Sequence, residues 1–128
     1  MEKYILLLTL TLTVTCLSQS LEKKLNCDIL KHSKLKHIGI ADTTAFVVIN
    51  NKDHIEYEQN KKYFIKSKLE WVNDCEYNAT MTEITAPNFP FGPGEVMNVK
   101  FDNIENDIIS YTATVRGKSF KAKMKIIK

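Results

Sequence analysis

The chain has 128 residues, of which 44% are hydrophobic and 26% charged, with a formal net charge of +3. These values fit one globular domain and exclude a disordered or fibrous chain. A charge of +3 is too small to argue for nucleic acid as a partner.

The N-terminus reads as an export signal in three parts. Lys3 supplies the positive start, residues 5–15 form an apolar run, and Ser18 and Ser20 offer small residues for cleavage. An eleven-residue run is too short for a spanning helix, which needs about 20 residues. Cys16 opens an alternative, a lipid-modified cysteine, although Thr15 before it is larger than the small residue such a site favours. The expected division is a signal over residues 1–20 and a single domain over residues 21–128. Two cysteines then remain, Cys27 and Cys75. An even count in an exported chain favours a disulfide, worth roughly 4 kcal/mol by chain entropy at this separation. The alternatives are two buried thiols or a metal site, and no Cys or His stands at metal spacing beside either cysteine.

Residues 21–30 offer a turn or two of helix at most. Beyond them the pattern alternates in twos, which assigns neighbouring residues to opposite faces of strands. Residues 35–40 are the first strand candidate, and residues 45–49 form a continuous apolar run. In the next strand Ile55 and Tyr57 are expected to face inward, with His54, Glu56 and Glu58 outward. Tyr63, Ile65, Ser67, Leu69 and Trp71 share one face of a longer strand. A bulged or three-residue loop at Asn73-Asp74-Cys75 then sets Trp71 opposite Tyr77 and Leu69 opposite Ala79. Residues 86–94 hold all three prolines, Pro87, Pro90 and Pro93, and cannot form a central strand. Met97, Val99 and Phe101 follow as a further inward face. The last hairpin has Ile109, Tyr111, Ala113 and Val115 on one strand and Phe120, Ala122, Met124 and Ile126 on the other. A Gly117-Lys118 turn would pair Val115 with Phe120. These inward residues, with Tyr57, Tyr63 and Trp71, make up the expected core.

About eight sequential strands in about 100 residues predict an antiparallel meander, closed as a small lipocalin-like or avidin-like barrel. An open curved sheet is the alternative. The residues Asn26-Cys27, Leu35-Lys36-His37, His54-Ile55-Glu56-Tyr57 and Glu70-Trp71-Val72-Asn73-Asp74-Cys75-Glu76-Tyr77 resemble a group of small exported proteins from Bacteroidetes with a W-x-x-x-C-x-Y segment. Leu35 and Ser33 depart from the aromatic residue and glycine usual in that group's first strand. The resemblance implies the same fold, disulfide and compartment, and no activity.

The chain lacks H-E-x-x-H, G-x-S-x-G, P-loop and dinucleotide fingerprints. His54 shares a strand face with Glu56 and Glu58, an arrangement open to a metal or acid-base site but explained equally by the solvated side of a strand, and Asn78-Ala79-Thr80 matches a glycosylation pattern in mid-strand. Two surfaces are candidates for binding. If the last strand closes on the first, Lys34, Lys36, Lys121, Lys123 and Lys125 form a basic stripe for an anionic polymer or membrane, or simply a solvated face. Phe89 and Phe91, held among Pro90 and Pro93, either present an interface or plug one end of the barrel. The expected function is an exported, non-enzymatic binding module without a cofactor, in the periplasm, at the cell envelope or secreted. Its partner is a protein or a small apolar ligand, not nucleic acid, with a membrane involved only through Cys16. The alternatives are an inhibitor of an extracellular or periplasmic hydrolase, such as a lysozyme or protease, and a hydrolytic or metal-dependent enzyme.

Overall fold

The computed structural model describes residues 25–127. The export signal, its cleavage after Ser18 or Ser20 and the alternative lipid site at Cys16 lie outside the described residues. A short 3₁₀ helix, Asp28–Lys31, precedes eight strands: β1 (His32–His37), β2 (Phe46–Asn50), β3 (Asp53–Glu58), β4 (Tyr63–Asn73), β5 (Glu76–Ile84), β6 (Val96–Glu105), β7 (Ile108–Val115) and β8 (Lys118–Ile127). Each pairs antiparallel with its neighbour in sequence, and β8 closes on β1, so the sheet is a barrel with no free edge. Register shifts interrupt the long β4–β5 and β6–β7 hairpins. Such bulges bend long strands and let them follow a small barrel's curvature.

Apolar side chains alternate inward as the sequence pattern requires. Leu30, Leu35, Ile49, Tyr77, Phe101 and Ile109 are buried together at one end. The Cys27–Cys75 disulfide, with Cα atoms 5.3 Å apart, ties the segment before β1 to the β4–β5 turn at that same end. Two backbone bonds complete the closure: Asn51 N donates to Lys31 O at 2.6 Å, and Phe101 N to Cys75 O at 2.8 Å.

The β4–β5 hairpin has the expected register, with Trp71 opposite Tyr77, Leu69 opposite Ala79, and a bulge before Asn73. Four other details differ from the sequence pattern. The first strand starts at His32 and ends at His37, earlier than residues 35–40, because β1 must lie along both β2 and β8. The β7–β8 turn is Arg116-Gly117 rather than Gly117-Lys118, so Val115 faces Lys118 and Ala113 faces Phe120. Both turn residues have positive φ, +52° and +73°, as a twist-compatible two-residue hairpin demands. Phe120 is on the inward register but remains 47% exposed, because it sits at the barrel's other, open end. Finally, β3 is turned over. Val47 and Ile49 of β2 are buried, and the register sets them opposite Glu56 and His54. The polar residues therefore face the interior, while Tyr57 lies outside against Phe46, their rings 5.0 Å apart.

A cavity at the open end of the barrel

The barrel is packed at the disulfide end and hollow at the other. A cavity of about 330 Å³ opens beside the end of β1 and the starts of β6 and β8. That is room for roughly eleven waters at about 30 Å³ each, and it falls at the small end of ligand sites. Val99, Tyr77 and Tyr111 line it, and Met97, Ala122 and Met124 continue the apolar wall. Its rim is apolar as well: Ile38 and Ile40 are each 45% exposed beside Phe120.

Two loops hold this rim in place. Residues 38–45 fold over the β3–β4 turn, where Gln59, Asn60 and Lys61 all have positive φ. The Asp42 carboxylate accepts from Gln59 N at 2.8 Å and from Thr44 N at 2.9 Å, and Thr44 Oγ1 accepts from Asn60 N at 2.8 Å. These bonds offset the cost of three left-handed residues in succession. They also hold the Asp42 carboxyl below its usual range, the Thr44 hydroxyl contributing most. On the far side, residues 86–94 turn back on themselves. Gly94 N donates to Met81 O at 2.7 Å with a φ of +92°, a conformation that suits glycine. Glu95 accepts from Gly92 N and from Arg116, whose guanidinium lies 5.2 Å from the Phe91 ring centre.

Phe89 and Phe91 pack edge to face with centroids 5.6 Å apart. Both are half-buried and both line the cavity. They neither seal the barrel nor stand clear of it. They form one lip of the mouth, and Pro90 and Pro93 are exposed around them.

Inside, the inverted face of β3 brings three ionisable groups together. Glu56 Oε1 lies 2.7 Å from His37 Nε2, an ion pair between β3 and β1 whose side chains are 24% and 17% exposed. The bond to Glu56 raises the His37 pKa above its ordinary value, against burial, which lowers it. Burial raises Glu56, but the hydrogen bond and charge of His37 outweigh it and leave the carboxyl below its ordinary range. His54, one turn of the pleat deeper, is held low by burial and so stays neutral. Its ring lies 6.1 Å from that of Tyr77. Burial also raises both tyrosines, Tyr111 to about 12, with the Glu56 charge adding to the effect. At neutral pH both hydroxyls therefore keep their protons.

The lysine stripe runs along the outer face of the β1–β8 seam, and of its members Lys123 also touches the cavity. Lys36 is opposite Lys125 across the β1–β8 seam, with Lys121 and Lys123 further along β8. Lys34 lies over the Phe46 ring at 4.4 Å, so its stem covers part of the outer aromatic pair. None of these five lysines has an ion-pair partner among the described residues. The described residues also hold no cluster of three or more His, Cys, Asp or Glu side chains placed for a metal. The sequence pattern names the loop phenylalanines and the lysines, sets His54 and Glu56 on the solvated face instead of the interior, and gives His37 no role. No family model, curated protein or solved structure matches this chain.

Proposed function

We propose that this chain is an exported binding protein that holds a small, mostly apolar molecule inside its barrel. The carrying observation is the cavity itself: about 330 Å³, open at one end, walled by aliphatic and aromatic side chains around one polar cluster. Convergent polar groups in an apolar hollow are what a small-molecule site requires, the apolar wall giving affinity and the polar groups orientation. The disulfide supports export, since such bonds persist in oxidising compartments. The half-buried Phe89 and Phe91 favour a small ligand over a protein partner, because their rings turn toward the cavity rather than standing out as anchors.

The test is titration of the folded domain with an uncharged apolar dye, N-phenyl-1-naphthylamine, followed by fluorescence and native mass spectrometry. A saturable one-to-one complex with micromolar affinity, about −8 kcal/mol, is expected. Ala122→Phe, which fills the cavity from the β8 wall, should weaken it at least tenfold. Absence of saturable binding, or an Ala122→Phe protein that binds unchanged, would refute the reading.

A second reading rests on the His37–Glu56 pair. A carboxylate that orients an imidazole in a largely apolar cavity is the usual preparation of a general base. The same cavity would then turn over its ligand, and incubation with candidate ligands would show product where pure binding shows none.

A further inference from the structure

The cavity's polar groups centre on one free carboxylate oxygen. Glu56 uses Oε1 for His37, and Oε2 has no partner among the described residues. Neutral His54 has a ring lone pair to offer, and no hydrogen bond occupies its ring among the described residues. The Tyr77 and Tyr111 hydroxyls are likewise without hydrogen-bond partners there, and each can accept or donate, so the free Glu56 oxygen alone sets the sign of the charge the cavity favours. Around these acceptors stand aromatic rings: Tyr77 and Tyr111 in the wall, and Phe89, Phe91 and Phe120 at the mouth. No arginine lines the cavity. Among the described residues, the one lysine that touches it, Lys123, belongs to the outward register of β8, opposite Ser110.

A carboxylate oxygen, further acceptors and aromatic faces form an environment that is complementary to an organic cation. A primary ammonium has three donors and no acceptor, so it can satisfy Glu56 and the neighbouring acceptors at once. Ring faces attract the same charge, and most strongly where water has been excluded. A ligand headed by a carboxylate would instead meet Glu56 at close range in a low dielectric. A wholly apolar ligand would displace the water from Glu56 Oε2 and leave that oxygen unmatched.

We propose that the occupant is a small organic amine, its ammonium seated on the free oxygen of Glu56 and its apolar body lying among the aromatic rings. This rests on the reading of the cavity as a ligand site and specifies what that ligand carries.

Three shape-matched probes test it: 2-phenylethylamine, 3-phenylpropanoate and 2-phenylethanol, each titrated calorimetrically and in competition with the apolar dye. At pH 7.5 the amine is charged, as a lysine is. It should bind about tenfold tighter than the acid or the alcohol, and Glu56→Gln should erase that preference. His37→Asn removes the cation that shares Glu56, and at pH 6 it should tighten amine binding at least about threefold. The acid or alcohol binding as well as the amine overturns the proposal, as does a preference that survives Glu56→Gln. If none of the three displaces a dye that does bind, the amine proposal falls and the cavity reading stands. If the dye does not bind either, both fall. Should Glu56→Gln not fold, the three-probe comparison and His37→Asn decide the matter alone.

Discussion

His37 and His54 have the same side chain, share one cavity and are pushed in opposite directions. His37 gains a carboxylate partner, which raises its pKa, and His54 is lowered chiefly by burial, which outweighs the charge of Glu56. Nuclear magnetic resonance titration of the two imidazoles should therefore give a midpoint above 6.5 for His37 and below 6.5 for His54. The stability consequences follow from the signs. His37 contributes stability that is complete below pH 6.5 and fades as pH rises through its own raised midpoint. His54 acts the other way, costing stability as pH falls below 6.5 toward its lowered midpoint. Glu56, lowered from 4.5, contributes above that value and loses its contribution as pH falls through its folded midpoint. The ion pair is thus complete between about pH 4.5 and 6.5. Equal midpoints for the two histidines would contradict the geometry. None of this was legible from alternation alone, for a specific reason. Residues 45–49 are apolar on both faces, so the pattern of β2 cannot say which side is interior, and β3 inherits the ambiguity. Ile55 and Tyr57 made the conventional inside, but the structure gives that place to His54 and Glu56.

At the scale of the element, the β7–β8 hairpin shows how far a period-two pattern reaches. Moving the turn from Gly117-Lys118 to Arg116-Gly117 shifts the register by two residues and keeps every side chain on its face. Burial cannot separate two such registers, and turn geometry decides between them. Gly117 carries the constraint: its φ is +73°, and a Cβ there would meet nothing within 4 Å. Gly117→Ala should cost about 1 kcal/mol through backbone strain alone, measured by urea unfolding, with dye binding in the cavity unchanged. A neutral or stabilising effect would show that the turn has another conformation in solution. The β4–β5 register was legible because a bulge there preserves the Trp71–Tyr77 contact, and the rings do meet, 5.1 Å apart and edge to face. The loop of residues 86–94 was legible as a break in the sheet. Its rings' position at the mouth was not, because that depends on Glu95 and Arg116, which meet only once β6 and β7 are paired.

Over the whole molecule, eight sequential strands, closure and the single disulfide were all visible in the chain, because they depend on counts and spacing. The hollow was not visible, since it reflects how much volume the inward side chains leave unfilled. Reduction of Cys27–Cys75, or its replacement by serines, should lower stability by roughly 4 kcal/mol at a separation of 48 residues. Chemical denaturation checks this, and thiol titration of the native domain should find neither sulfur reactive. The polarity of the barrel has one more consequence. Leu25 lies against Cys75, and Ile126 N donates to Asp107 O at 2.8 Å beyond the start of β7. Both chain ends of the described domain therefore leave from the disulfide end, opposite Ile38, Ile40, Phe89 and Phe120. A tether on either terminus, whether a lipid, a fused domain or a sensor surface, holds the barrel like a cup by its base and leaves the mouth facing the solution.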